Sequence, residues 1–160
     1  MTQKEFRIFF EAYFEAVRRF IYYRCGDTEI ATEVGQEAFM RVWEKQLIPQ
    51  KGKEIALLYK IASNIFISRI RKDRSALNYR KSMVITNENE TPSDQLEYEE
   101  LKQQYEVALK SLTDKQRTAF LMSRVDELSY QEMSQQLEIS VKAVEKRMSQ
   151  ALASLRKALL

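Results

Sequence analysis

Strong backbone punctuation is scarce: three glycines and two prolines serve a chain of 160 residues. Glycine and proline mark most tight turns, so a chain this poor in both is pushed toward long helices joined by short connections. The start signals agree. Thr2 with Glu5, Thr113 with Gln116 and Ser129 with Glu132 each fit the capping-box pattern, in which a hydroxyl and a carboxylate or amide three residues on satisfy orphan N–H groups at a helix start. Behind the first box, Phe6, Phe9, Phe10, Tyr13, Phe14, Val17, Phe20 and Ile21 recur at helical spacing, which predicts one long helix with a broad aromatic core face. Gly26 ends it, and Asp27 or Thr28 caps the next.

The second helix is expected from about Glu29 to Gln46, with Ile30, Val34, Ala38 and Val42 inward. Phe39 and Trp43 lie rotated off that stripe beside Gln36 and Glu37, which suggests a partner surface unless Trp43 simply closes the edge of the core. Gly35 in mid-helix costs about 1 kcal/mol relative to alanine and admits a close neighbour. After a loop holding Pro49 and Gly52, a third helix is expected from Ile55 to Arg74, with Leu58, Ile61, Ala62, Ile65 and Ile70 inward. Three such helices close a small bundle. Periodicity then fails, and Asn, Glu, Thr, Ser and a proline dominate, which reads as a linker. Helical order resumes with Leu101, Tyr105, Ala108 and Leu109, followed by three more capped helices. The expected fold is all-α: a domain at 1–74, a flexible linker at 75–94 and a four-helix domain at 95–160.

The formal net charge is only +3, but it is unevenly placed. Lys60 to Lys81 holds seven bases and one acid, Glu88 to Glu106 seven acids and one base, and Val141 to Leu160 five bases and one acid. Two basic blocks on amphipathic helices favour nucleic acid over plainly solvated faces. No apolar run reaches the length of a membrane span, and the N-terminus has charges where a signal peptide would be apolar, so cytoplasmic residence without membrane insertion is expected. Cys25 stands alone and reads as a half-buried small hydrophobe rather than a reactive thiol. There is no histidine, no CxxC pair, no glycine-rich phosphate loop and no metal-ligand spacing, so neither enzyme chemistry nor a cofactor is expected.

The stretch "LSYQEMSQQLEISVKAVEKRMSQAL" reads as two short helices at a tight corner. Met133, Leu137, Ile139 and Val144 supply the small apolar knot of a helix-turn-helix. On the second helix Val144, Met148, Ala151, Leu152, Leu155 and Leu159 face one way, and Lys142, Lys146, Ser149, Gln150 and Lys157 the other, with Glu145 and Arg147 at the boundary. Such a helix suits a major groove, although a solvated helical hairpin has the same pattern.

Three blocks then become specific. "TEIATEVGQEAFMRVWEK", "LLYKIASNIFISRIRK" and "ALKSLTDKQRTAFLMSRVDELSYQEMSQQLEISVKAVEKRMSQALASLRKAL" resemble, in the right order and over most of the chain, the extracytoplasmic-function (ECF) sigma factors of the sigma-70 family. The resemblance implies an alternative sigma factor that binds core RNA polymerase and directs it to promoters. It implies contacts with the β′ clamp coiled coil of core polymerase through Glu33, Gln36, Glu37, Phe39, Met40 and Trp43, with the β subunit as a further core partner. It implies −10 promoter DNA contacts from Gln50, Lys51 and Lys53 in the loop and from Asn64, Ser68, Arg69, Arg71 and Lys72 on the third helix. It implies −35 contacts from Lys142, Glu145, Lys146, Arg147, Ser149 and Gln150, and an anti-sigma factor as a further partner. Three positions depart from the family pattern: Glu138 replaces the usual corner glycine, Glu145 stands where many relatives carry a base, and Leu57 stands where many have tryptophan. A stand-alone helix-turn-helix regulator and a helical adaptor are the competing readings. The first leaves the Phe39 and Trp43 surface unexplained.

Overall fold

The computed structural model of the chain describes residues 1–72 and 95–160, which form seven helices and no strand. They are α1 (Gln3–Cys25), α2 (Thr28–Glu44), α3 (Glu54–Lys72), α4 (Gln95–Ser111), α5 (Asp114–Arg124), α6 (Tyr130–Leu137) and α7 (Val141–Leu159). The expected linker and the end of the third helix at Arg74 lie outside the described residues.

All three capping boxes form. Thr2, Thr113 and Ser129 each accept from the backbone of the third helical residue, and Glu5, Gln116 and Glu132 return the bond. Caps of this kind stabilise a helix start by about 1 kcal/mol. Asp27 caps α2 through the N–H groups of Glu29 and Ile30, and Ser140 caps α7 through that of Ala143. Gly26 ends α1 in the left-handed conformation, φ 70°, with its N–H on the Tyr22 carbonyl. α2 stops at Glu44, two residues earlier than the pattern suggests, because Gln46 turns to φ 48° and reverses the chain.

In the first domain α1 packs against α2 and α3. Phe39 is 1% exposed and sits within 5.0–6.4 Å, ring centre to ring centre, of Phe6, Phe9, Phe10 and Phe14. The α2 pattern left Phe39 off the buried stripe; α1 brings four rings to meet it there, and burying such a side chain contributes about 1.5–3 kcal/mol. A Cβ on Gly35 would lie 3.1 Å from Phe14, which is the close neighbour the glycine admits. On α3 the inward set extends beyond the expected aliphatics to Tyr59 and Phe66, and Tyr59 stacks on Phe20 at 4.1 Å.

In the second domain the helix-turn-helix knot forms as expected. Met133 and Val144 are fully buried, and Leu137 and Ile139 pack against them. The inner face of α7 is narrower than the wheel suggests: Met148, Ala151 and Leu155 are buried, but Leu152 is 40% exposed. On α4 Ala108 and Leu109 are buried while Leu101 is 61% exposed, so only the C-terminal part of that helix meets the core.

The two domains touch, which nothing in the sequence pattern had indicated. α5 lies on α1, and α6 lies on α3. Tyr23 Oη donates to Asp126 at 2.7 Å, Arg24 pairs with Asp114 at 3.0 Å and Arg19 with Asp126 at 3.3 Å. The buried residues consequently form one continuous cluster across both domains.

Candidate polymerase-binding and nucleic-acid interfaces

α2 presents a strip of mixed chemistry to solvent. Glu33, Gln36, Glu37 and Met40 are exposed, and Trp43 is half-buried against Phe6 at 5.1 Å. Met40 is 57% exposed, an apolar side chain between carboxylates and an amide. Aromatic and methionine side chains amid polar neighbours are the usual make-up of a protein-binding patch. Phe39, the sixth residue expected on this surface, lies beneath it. Its ring carries the strip rather than joining it, because the aromatic face of α1 leaves it no path to solvent.

A second surface spans the loop before α3 and the outer side of that helix. Gln50, Lys51, Lys53, Asn64, Ser68, Arg71 and Lys72 are exposed and Arg69 is half-exposed. Lysine and arginine here can neutralise phosphates, and Asn64 and Ser68 can hydrogen-bond base edges or sugars. Arg69 pairs with Glu33, which ties this surface to the strip on α2. The elements that hold the surface are the Gly52 turn, φ 85°, which puts Lys51 and Lys53 at its tip, and the stripe Leu58, Ala62, Ile65, which fixes the rotation of α3.

The third surface is the outer face of α7. Lys142, Glu145, Lys146, Ser149 and Gln150 are exposed along its N-terminal half, and Gln150 accepts a long hydrogen bond, 3.4 Å, from Gln116 of α5. Arg147 behaves differently. It is half-buried in the cleft between the domains, in a cavity shared with Phe20, Arg24, Ser63 and Ile67 of the first domain. Burial pushes its guanidinium below the usual arginine value, and Asp114 works in the opposite direction. The corner itself is as strained as the sequence suggests: Glu138 takes the left-handed conformation at φ 54°, ψ 44°, with its N–H on the Ser134 carbonyl. For a side chain with a Cβ this costs about 1–2 kcal/mol.

The sequence pattern did not single out Arg117. It is 4% exposed. Its guanidinium donates to the carbonyls of Tyr23 (2.8 Å) and Arg24 at the end of α1, and to those of Leu109 (3.4 Å) and Leu112 (2.9 Å) at the end of α4. The last carbonyls of a helix have no partner within it and carry the negative end of its dipole, so two helix ends converge on one cation. The planar fork of arginine matches this arrangement, and an ammonium would not. A signal did exist: Arg117 lies three and four residues before Phe120 and Leu121, on the apolar face of α5.

Among the described residues no cluster of acidic or cysteine side chains is placed to hold a metal, and no helix is long and apolar enough to cross a membrane. Tyr23 and Tyr59 are pushed well above the usual phenol value, chiefly by burial, with the Asp126 carboxylate adding to the shift of both.

Comparison with known proteins assigns these surfaces a context. The family described as sigma-70 region 2 matches residues 9–76, and the family described as sigma-70, region 4, matches residues 102–155. A search of curated protein sequences returned no match. Among solved structures, the chain is similar to the co-crystal structure of the sigma factor RpoE in complex with the anti-sigma factor NepR from Bartonella quintana. The identity is 21% and the TM-score 0.68, over 98% of this chain and 97% of that one. That likeness shows a shared fold along the whole length. With region 2 and region 4 forming its two halves in order, the chain belongs to the sigma-70 family, in the two-domain form of its ECF members.

Proposed function

We propose that this sigma factor engages core RNA polymerase through the α2 strip, with Glu33, Gln36, Glu37, Met40 and Trp43 in contact and Phe39 supporting them from below. Gln50, Lys51, Lys53, Asn64, Ser68, Arg69, Arg71 and Lys72 then meet the −10 element, where an unstacked strand needs cations for its backbone and hydrogen-bonding groups for its bases. Lys142, Glu145, Lys146, Arg147, Ser149 and Gln150 meet the −35 element in duplex form. The division into 1–74, 75–94 and 95–160 follows this assignment of roles. The protein works by binding and positioning, with no enzymatic step or cofactor of its own, and it acts in the cytoplasm where polymerase is.

The observation that carries this reading is the presence of both sigma-70 regions, in order, in a chain whose α2 keeps an exposed mixed strip that its own core does not use. That strip has no use in a stand-alone regulator. The RpoE structure holds an anti-sigma factor, and a partner of that class is proposed here as well. The test is reconstitution: purified chain plus core polymerase, assayed for complex formation and for transcription from a library of promoter fragments. Complex formation lost on Met40→Glu, with helix content unchanged, supports the assignment of α2. Full binding by that variant counts against it.

A further inference from the structure

Side chains from α1, α3, α5, α6 and α7 wall a cavity of about 210 Å³ in the cleft between the domains. Arg24, Lys115 and Arg147 line it, and no carboxylate does. Arg24 is held firmly. Its side chain is 11% exposed, its guanidinium lies 4.9 Å over the Phe66 ring, and Nε (3.3 Å) and Nη2 (3.0 Å) both donate to one oxygen of Asp114. Its Nη1 makes no hydrogen bond to a described residue. Lys115 is exposed in the first turn of α5. Arg147 is half-buried and makes no hydrogen bond or ion pair with any described residue. Burial lowers its pKa, Asp114 opposes that, and the like charge of Arg24 adds to it. A guanidinium keeps its proton in a protein, so the desolvation of Arg147 is carried by a charge with no acceptor. A polar group in that position calls for a partner from outside the chain. Clefts between domains are common places for small ligands.

We propose that this cavity binds a small phosphate-type oxyanion, either a free phosphate or pyrophosphate or the phosphate end of a nucleotide, with Arg24, Lys115 and Arg147 as its cations and the Ser63 hydroxyl as a further hydrogen-bonding group. The charges match. Three cations less the Asp114 carboxylate leave +2, and a phosphate group carries about −1.5 to −2 at neutral pH. The guanidinium fork fits phosphate oxygens two at a time. Phe20 and Ile67 give the cavity an apolar wall beside the cations. Its volume admits a small anion and not a duplex, so the site is separate from the −35 contacts. The other five members of that set, Lys142, Glu145, Lys146, Ser149 and Gln150, are exposed on α7.

Isothermal titration calorimetry of the full chain with pyrophosphate tests this. Chloride holds the ionic strength constant near neutral pH, so that general screening is the same throughout. Wild type is expected to bind one anion per chain, saturably. Lys115→Gln and Arg147→Gln are each expected to weaken that binding about tenfold, the usual loss for one charged hydrogen bond. Lys115 is exposed, so its variant serves if Arg147→Gln loses helix content. Lys4→Gln is the control: Lys4 is an exposed cation in the first turn of α1 that does not line the cavity, and this variant is expected to match wild type. No saturable binding by wild type, full affinity in a folded cavity variant, or an equal loss in Lys4→Gln would overturn the proposal. GDP is titrated in the same way to separate the two sources of phosphate. Affinity for GDP no greater than for pyrophosphate assigns the site to a free anion. Greater affinity assigns it to a nucleotide, with the base on the apolar wall. None of these readouts involves core polymerase, so failure here and failure of the polymerase reading are distinguishable.

Discussion

At the scale of single residues, Glu138 and Cys25 give the sharpest expectations. Glu138 occupies a left-handed position that costs a residue with a Cβ about 1–2 kcal/mol. Glycine there removes that cost and gives back part of it as unfolded-chain entropy. Glu138→Gly is therefore expected to raise stability by about 0.5–1 kcal/mol, read as a higher midpoint in urea with an unchanged slope. A lower midpoint would mean that the carboxylate holds the corner. Cys25 is buried at the end of α1, and burial pushes its thiol up to about 11. The sign follows from proton counting. Above the ordinary thiol value the unfolded chain has released a proton that the folded chain keeps, so stability is complete below that value and falls as pH rises toward 11. Urea midpoints at about pH 8 and about pH 10 are expected to drop less in Cys25→Ala than in wild type. Equal drops would show that the thiol is not protected.

At the scale of elements, legibility followed locality. Capping is decided within four residues, so Thr2, Thr113, Ser129, Asp27 and Ser140 were all readable as caps. The knot of Met133, Leu137, Ile139 and Val144 was readable because one corner brings it together. Phe39 was misplaced because its burial is set by four rings of a different helix. Leu152 and Leu101 fall on the apolar side of their own wheels, yet neighbouring helices leave them 40% and 61% exposed. Of the −35 candidates, Arg147 was readable as a boundary residue, but its place in the interdomain cleft depends on α1 and α3. α7 also yields a test. Charge reversal at Lys142 and Lys146, both exposed, is expected to leave helix content intact. It should weaken binding of duplex promoter DNA by the isolated polymerase complex by about tenfold or more, since each lost phosphate contact also loses counterion release. Unchanged promoter binding would remove α7 as the −35 reader.

At the scale of the whole molecule, the fold class and the two helical domains were legible from glycine scarcity, periodicity and the placement of charge. Their packing on one another was not. It depends on Arg117 reaching carbonyls some ninety positions away and on three polar pairs across the cleft. No local pattern encodes partners at such separations, and a cation on the apolar face of α5 was the only trace. The uneven charge does carry a further expectation. With basic side chains on α3, its preceding loop and α7, promoter affinity of the holoenzyme should fall steeply and linearly with the logarithm of salt concentration. Reversing Lys142 and Lys146 should shallow that slope by about two units. A flat response would contradict phosphate contact by either surface.

The central claim is that the α2 strip makes this chain a polymerase subunit. A fluorescence titration of the labelled chain with core RNA polymerase tests it most directly. The expected result is saturable binding with a Kd below about 1 μM, abolished in Met40→Glu and retained in the Lys142 and Lys146 reversal. Absence of binding by wild type at that concentration, or undiminished binding by Met40→Glu, would contradict it.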